Sequence, residues 1–397
     1  MNYPKVILKP KRSASISRKH PWVFSGAIAK ILVEEDQTVE EGDVVHICDS
    51  KEEIIGTGHF ANGSIAVRIL SFEAAEIDQD FWNAKIEKAY KLRQMLGLVD
   101  NPKTTAHRLI HAEGDGVPGL IIDVYGEIAV VQAHSLGMMN SIQSIATALT
   151  KCYGDKLKAI YNKSENSLHA ESEIKDGYIS GNSSCPALVK ENGESFEVNW
   201  IDGQKTGFFL DQRENRKLLA NYAANKKVLN TFCYSGGFSI YAMSAGAKAV
   251  HSVDSSAKAI ELAKQNAALL KGKAKKHQTF VQDTFSYLNE TEEKYDLIVL
   301  DPPAYAKNIR SKHKAVQAYR RLNEKALRSI EPNGILFTFS CSQIIDRKLF
   351  EDTIRAAAID ANRNVKVLHH LSQAPDHPAS AFHPEGEYLK GLVLFVE

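Results

Sequence analysis

The stretch 296–305, DLIVLDPPAY, constrains the fold of this chain more than any other. It opens as an unbroken apolar run, the pattern of a parallel strand buried on both faces. Pro302 and Pro303 then forbid further pairing and set a stiff, extended turn at the strand's carboxyl end. In open α/β sheets that end is where ligands bind. A carboxylate, Asp301, and an aromatic ring, Tyr305, are therefore expected where chemistry would occur. An acid and a ring beside Pro-Pro suit a planar, hydrogen-bonding group such as a nucleobase. An ordinary strand-ending turn is the competing explanation.

The flanking pattern supports a sheet of that kind. From about residue 195, strand-like and helix-like segments alternate. Segments 227–232, 248–253, 279–282, 297–300 and 335–340 read as strands, and 255–270, 313–330 and 346–361 as helices. Ser255 and Ser256 can cap the first of these helices, on which Ile260, Ala263, Ala267 and Leu270 share a face. Segments 365–371 and 392–396 would complete the sheet. The expected fold of 195–397 is a doubly wound parallel α/β sheet with right-handed crossovers. Residues 1–72 read as short strands broken by glycine turns, a small β-barrel-like module. Residues 73–194 suit a small α+β domain. It would hold a helix over 81–97, a meander over 108–113, 120–125 and 128–133, a helix over 138–152 and a strand over 159–161. The polar stretch 162–194 reads as an irregular loop or linker.

With 44% hydrophobic and 24% charged residues, the chain of 397 reads as an ordinary soluble protein. No apolar run approaches the roughly 20 residues of a membrane span, and residues 1–11 lack the apolar stretch of a secretory leader. The five cysteines form no C-x-x-C pair, so neither a disulfide framework nor a metal site is expected, and a reducing, cytoplasmic setting is. The net charge is +1 but unevenly placed. Seven Lys/Arg and no acid fall within residues 1–33, and a second basic run from Lys307 and Arg310 to Arg328 follows the Asp-Pro-Pro turn. Two basic zones in a near-neutral chain suggest contact with a phosphate backbone, against the alternative of solvated faces. Trp22 and Phe24 lie beside basic residues and read as core-packing rings in preference to base stacking.

The remaining candidates occupy successive strand ends. The strand 227–232 runs from Asn230 through Phe232, Tyr234 and Ser235 into Gly236-Gly237, where missing side chains let backbone approach a ligand. This is not the G-x-G-x-x-G of a pyrophosphate cradle. Asp254, followed by Ser255, ends the next strand, 24 residues after Asn230, and suits a ribose diol. Asp283 follows the third strand and could accept an adenine amino hydrogen. Each of these acids alone could equally be a helix cap. Together with Asp301 they fit a nucleoside cofactor without a pyrophosphate, such as S-adenosylmethionine. In the run 205–216, Asp211 and Glu214 could form a capping-box-like helix start, with Phe208 and Phe209 on a strand before it. Cys341 sits at the end of the strand after that of Asp301. A buried, inert thiol is its default role.

Residues 195–397 resemble a class I S-adenosylmethionine-dependent methyltransferase. The runs 205–216, 232–239 and 301–305 look like those of the RlmI-type RNA cytosine-C5 methyltransferases, and 9–26 resembles the PUA RNA-binding domain that begins them. The resemblance spans essentially the whole chain. It implies a large-subunit ribosomal RNA substrate, places the loop containing Phe208 over the cofactor, and makes Cys341 the nucleophile. On that chemistry a thiolate adds to cytosine C6, C5 becomes carbanion-like, and Asp301 takes up the developing charge. Pro302, Pro303, Tyr305, Lys307 and Arg310 would face the RNA, with Tyr305 either stacking on the base or packing. The base that removes the C5 proton is not identified, and Cys233 is given no catalytic role. Ribosomal RNA is the expected partner, with a homodimer left open and no membrane or metal expected. Methylation of an exocyclic amine, which needs no cysteine, and a non-catalytic RNA-binding assembly factor are the alternatives.

Overall fold

The computed structural model describes residues 3–33, 38–168, 174–272, 276–306 and 308–397. They form two compact units. One comprises Met1–Val189, Val198–Phe208 and Pro375–Gly386, and the other Lys190–Glu197, Phe209–Ala374 and Glu387–Glu397.

The first unit begins with β1 (Lys5–Leu8), α1 (Ala14–Ser17), β2 (Trp22–Phe24), β3 (Ile28–Leu32), β4 (Val44–Cys48), β5 (Ile54–Phe60) and β6 (Ile65–Ser71). They make a six-stranded sheet in the order β2-β6-β5-β4-β1-β3, in which β1 runs parallel to β4. Alternate residues turn inward, so Val6, Leu8, Val45, Ile47, Val67 and Ile69 form its core. Trp22 is half-buried against His383 and not in this core, and Phe24 is 49% exposed, so neither ring takes its expected place in the core.

Next come α2 (Gln79–Met95), β7 (Ala106–His111), β8 (Leu120–Tyr125), β9 (Ile128–Ala133), α3 (Leu136–Asn140), α4 (Ile142–Tyr153), β10 (Ala159–Asn162) and β11 (Gly177–Gly181). Asp78 caps α2 by accepting from the Phe81 N–H at 2.8 Å. Trp82, Ile86 and Ala89 of α2 pack on a sheet ordered β11-β10-β9-β8-β7. The stretch 162–194 is not the irregular loop expected. It holds β11 and β12 (Ala187–Glu191), which forms a two-stranded ribbon with the following β13 (Glu194–Val198). The alternation there is real, with Val189, Glu191, Phe196 and Val198 inward, but one inward position carries a carboxylate and hides the apolar pattern. Segment 375–386 returns to this unit through a buried cation. Arg93 Nη2 donates to the Asp376 carbonyl at 2.8 Å, and Nη1 and Nη2 together hold the Asp115 carboxylate.

The second unit contains α5 (Arg213–Ala223), β14 (Lys227–Thr231), α6 (Gly237–Ser244), β15 (Ala249–Asp254), α7 (Ala257–Ala268), β16 (His277–Val281) and α8 (Thr284–Glu290). It continues through β17 (Tyr295–Leu300), α9 (Lys312–Ser329), β18 (Ile330–Ser340), α10 (Arg347–Asp360), β19 (Val365–Ser372) and β20 (Lys390–Val396). The sheet order is β16-β15-β14-β17-β18-β20-β19. Strands β14 to β18 are parallel, and β20 runs antiparallel to both its neighbours. Register aligns Thr231 with Leu300 and Leu300 with Thr338, so the residues following β14, β17 and β18 leave the sheet along one edge. Among the described residues no helix is long and apolar enough to cross a membrane.

Candidate active site

The turn after β14 is held in a strained shape. Phe232 and Tyr234 adopt positive φ values of 52° and 45°, a region that bulky residues occupy only when their surroundings enforce it. The enforcing bonds come from β15 and α7. Cys233 N–H donates to the Val253 carbonyl at 3.1 Å, Tyr234 N–H to the Asp254 carboxylate at 3.0 Å, and the Asn266 amide to the Ser235 carbonyl at 2.9 Å. Asp254 also accepts from Ser256 N–H at 2.9 Å, so its carboxylate ties the two strand ends together. Gly236 is left-handed, with φ 76°, and a Cβ there would meet the Ala263 methyl at 3.1 Å. A Cβ on Gly237 would meet Arg216 at 3.0 Å, so the backbone of this turn is pressed against a guanidinium.

Arg216 is itself fixed. It donates to the buried Glu191 carboxylate at 2.8 and 2.7 Å and to the Phe209 carbonyl at 2.9 Å. Asn230, buried at the end of β14, donates to Ser239 at 2.9 Å, but its carbonyl oxygen has no hydrogen-bond partner among the described residues. An orphaned buried acceptor costs about 1–3 kcal/mol, and a hydrogen-bonding ligand at this strand end would recover it. The glycines thus make room for Ala263 and Arg216, while the Asp254 carboxylate and this orphaned acceptor fit an S-adenosylmethionine site.

Not every expected cofactor residue sits in this cradle. Asp283 is exposed and caps α8, accepting from Ser286 N–H at 3.1 Å. Ser255 is exposed, and Ser256 caps α7. Phe208 is buried and belongs to the first unit. Asp211 does not cap α5. Its carboxylate accepts from the Tyr388 hydroxyl at 2.7 Å, and its other oxygen is buried without a hydrogen-bond partner. Phe208 and Phe209 lie on no strand.

Asp301 and Cys341 do come together. The Cys341 Sγ lies 3.8 Å from the Pro302 carbonyl, and the Ser342 hydroxyl donates to the Ala306 carbonyl at 2.8 Å, so the Asp-Pro-Pro turn and the Ser-Cys-Ser turn are tied side by side. Burial, then the neighbouring Asp211 carboxylate, pushes the Asp301 carboxyl up to about 7, against the pull of the Gln212 amide and the Arg216 guanidinium. Burial also pushes the Cys341 thiol up to about 12, with Asp301 and Asp211 adding to it and Lys390 opposing it. Lys390 is buried at the start of β20. Its ammonium donates to the Ser342 and Ile345 carbonyls, both at 2.7 Å, and no carboxylate lies within ion-pair distance among the described residues. Cys233, by contrast, is packed against Ile260 and Ala263, and burial raises its thiol further still.

Tyr305 is half-buried, its ring 4.8 Å from that of Tyr319, so packing accounts for it. Pro302 is buried and Pro303 exposed. Arg310 is exposed on the turn before α9, while Lys307 lies outside the described residues. The basic run is thinner than its sequence implies. Arg320 pairs with Asp360 at 2.5 Å and Arg328 with Glu324 at 3.0 Å. Asp211, Arg216, Glu191 and Lys390 are the residues that sequence reasoning missed. An acid in the pattern of a helix cap and a lysine opening a terminal strand carry no local signal of a site.

The family described as S-adenosylmethionine-dependent methyltransferase matches residues 168–385, and a PUA-like domain matches residues 6–72. The chain is 38% identical to ribosomal RNA large subunit methyltransferase I of Alteromonas mediterranea, with 98% of each chain covered. It is 36% identical to the protein of the same name from Erwinia tasmaniensis, over 99% of each. Among solved structures, the SMU.776 methyltransferase complexed with SAH superimposes with a TM-score of 0.84 at 22% identity, covering 98% of this chain and 99% of that one. That likeness carries the fold. From these matches, the chain is an S-adenosylmethionine-dependent methyltransferase and belongs to the ribosomal RNA large subunit methyltransferase I family.

Proposed function

We propose that this chain methylates C5 of a cytosine in large-subunit ribosomal RNA through a covalent cysteine adduct. The observation that carries the reading is the pairing of Cys341 with Asp301 on turns tied side by side. Asn230, Phe232, Tyr234, Ser235, the Gly236-Gly237 backbone and Asp254 would hold S-adenosylmethionine. When bound, that cofactor supplies an electrophilic methyl carbon. Residues 1–72 and the exposed Arg310 would hold RNA, by phosphate contact.

The chemistry of the chain's own groups follows from cytosine. Its C5 is too weak a nucleophile until a thiolate adds to C6. The Cys341 thiol first loses its proton to solvent, the thiolate then forms the Sγ–C6 bond, and the displaced ring electrons load C5 and N3. Asp301, which holds its proton up to about pH 7, donates to the N3 edge and takes up that charge. After C5 gains its methyl, the C5 proton leaves, and the electrons of the C5–H bond expel the thiolate. Asp211 is the carboxylate at hand for that proton, because one of its oxygens has no other partner among the described residues. Lys390 is the cation nearest the Ser-Cys-Ser turn and favours the thiolate.

The test uses RNA carrying 5-fluorocytosine, which has no C5 proton to lose. The native enzyme should methylate it and remain attached, as a species that survives denaturing electrophoresis. Cys341→Ala should abolish both methylation and trapping while cofactor affinity survives. Methylation at near-native rate by Cys341→Ala would overturn the covalent route in favour of amine methylation.

A further inference from the structure

Only two Phe, Tyr or Trp side chains among the described residues are exposed: Phe24 at 49% and Phe382 at 58%. A single exposed ring is unremarkable on a protein surface. Phe24, on β2, belongs to one ring cluster, and Phe382, in the returning segment 375–386, directly precedes that cluster's His383 in the chain. The Trp22 ring lies 4.4 Å from His383, the residue after Phe382, and 6.3 Å from Phe24. His20 lies 5.4 Å from His383 and 6.2 Å from Phe24. Two carboxylates flank the cluster. The Trp22 indole donates to Glu113 at 2.9 Å, and His383 is 3.1 Å from Glu385. Trp22 is thus fixed by its hydrogen bond, while Phe24 and Phe382 keep their faces in water.

Charge complements those faces. Lys9, Lys11, Arg12, Arg18 and Lys19 are all exposed on the same small sheet domain. Lys9 donates to the Gly26 carbonyl at 3.0 Å, which places its ammonium close to Phe24 in the chain, and Lys19 directly precedes His20. Exposed rings on a domain that also carries exposed cations are the combination that holds single-stranded nucleic acid, with stacking for bases and charged groups for phosphates. Duplex RNA offers no exposed base faces and would gain little from such rings.

We propose that Phe24 and Phe382 form a stacking platform for unpaired bases of the RNA substrate, built jointly by the N-terminal domain and segment 375–386. The proposal rests on the RNA-methyltransferase reading above. The platform's residues belong to the first unit and those of the cofactor cradle to the second, and the platform is assigned affinity and preference for single strands.

The test measures binding of a fluorescently labelled single-stranded fragment of large-subunit ribosomal RNA by anisotropy, across a salt series. Phe24→Ala and Phe382→Ala should each weaken binding about 5- to 100-fold, the scale of one lost base stack. The salt slope should stay unchanged, because the phosphate contacts remain. Phe24→Trp and Phe382→Trp should restore binding, and duplex binding should be indifferent to all four substitutions. Both side chains face water, so the variants should melt with the native protein. A Phe24→Ala/Phe382→Ala double variant binding single strands within twofold of native overturns the platform. So does a loss that the tryptophan variants fail to restore. If the native protein neither binds nor methylates ribosomal RNA, the functional reading has failed, and the platform with it.

Discussion

Ser340 and Lys390 face each other across the antiparallel pair of β18 and β20, and that register carries the Lys390 ammonium to the turn presenting Cys341. Burial pulls the Lys390 amine down to about 8, with the Cys341 thiolate acting in the opposite sense. A buried cation whose partners are neutral carbonyls gains a counter-ion when the thiol ionises.

Lys390→Met should therefore make Cys341 less reactive. Alkylation of the Cys341 peptide by iodoacetamide, followed by mass spectrometry between pH 7 and 9, should slow by roughly tenfold, the effect of about one pKa unit. Equal rates in native and variant protein would show that Lys390 only braces the turn.

Asp254→Ala should weaken S-adenosylmethionine binding by roughly 1.5–3 kcal/mol, the scale of lost charge-assisted hydrogen bonds. Part of that loss comes from releasing the Tyr234 and Ser256 N–H groups that the carboxylate restrains. Asp254→Asn keeps an acceptor and should lose less. Calorimetric titration that finds native affinity in the folded Ala variant would remove Asp254 from the cofactor site.

Asp301 gives a pH signature. Its carboxyl is raised in the folded protein from 3.8 to about 7. Between these values the native state holds a proton that the unfolded chain has released, so this group's contribution to stability falls as pH rises from about 4 to 7. Above pH 7 both states are ionised and the dependence ends. Urea denaturation across that range should show a shallower decline for Asp301→Asn than for native protein. Superimposable pH profiles would mean that the carboxyl is not raised.

Glu191 and Arg216 are both buried, and the Tyr241 hydroxyl adds a third bond at 3.1 Å. Removing one member of such a pair strands the other charge, at a cost of about 3–5 kcal/mol. Glu191→Ala should lower the urea midpoint accordingly. Because Arg216 backs Gly237, cofactor affinity should fall as well. A stable variant with native cofactor affinity would show that the pair is dispensable.

How much of this was readable beforehand depended on how locally each feature was encoded. The strand Tyr295–Leu300 and the alternation around it were legible because burial on both faces leaves a continuous apolar run. Helix α7 was legible because one face is apolar and Ser256 caps it. Helix α6 was not, because Gly237 to Met243 are all buried and no polar stripe marks the period. Asp301, Cys341 and the Gly-Gly turn announced themselves as strand ends. Asp211 looked like a cap because its true partner, Tyr388, lies far along the chain. Glu191 and Lys390 were invisible for the same reason: their roles are fixed by partners that sequence proximity does not supply.

The place of β20 in the second sheet has a consequence for biosynthesis. Residues 390–396 fill an interior position between β18 and β19, both of which precede them in the chain. Until residues 390–396 have been made, the facing edges of β18 and β19 stay unpaired, and the Ser-Cys-Ser turn lacks the Lys390 ammonium. Open edges of that kind invite pairing with other chains. The Cys341 thiol thus gains the nearby ammonium only once β20 has been made, and a copy truncated before residue 390 carries the cysteine without it.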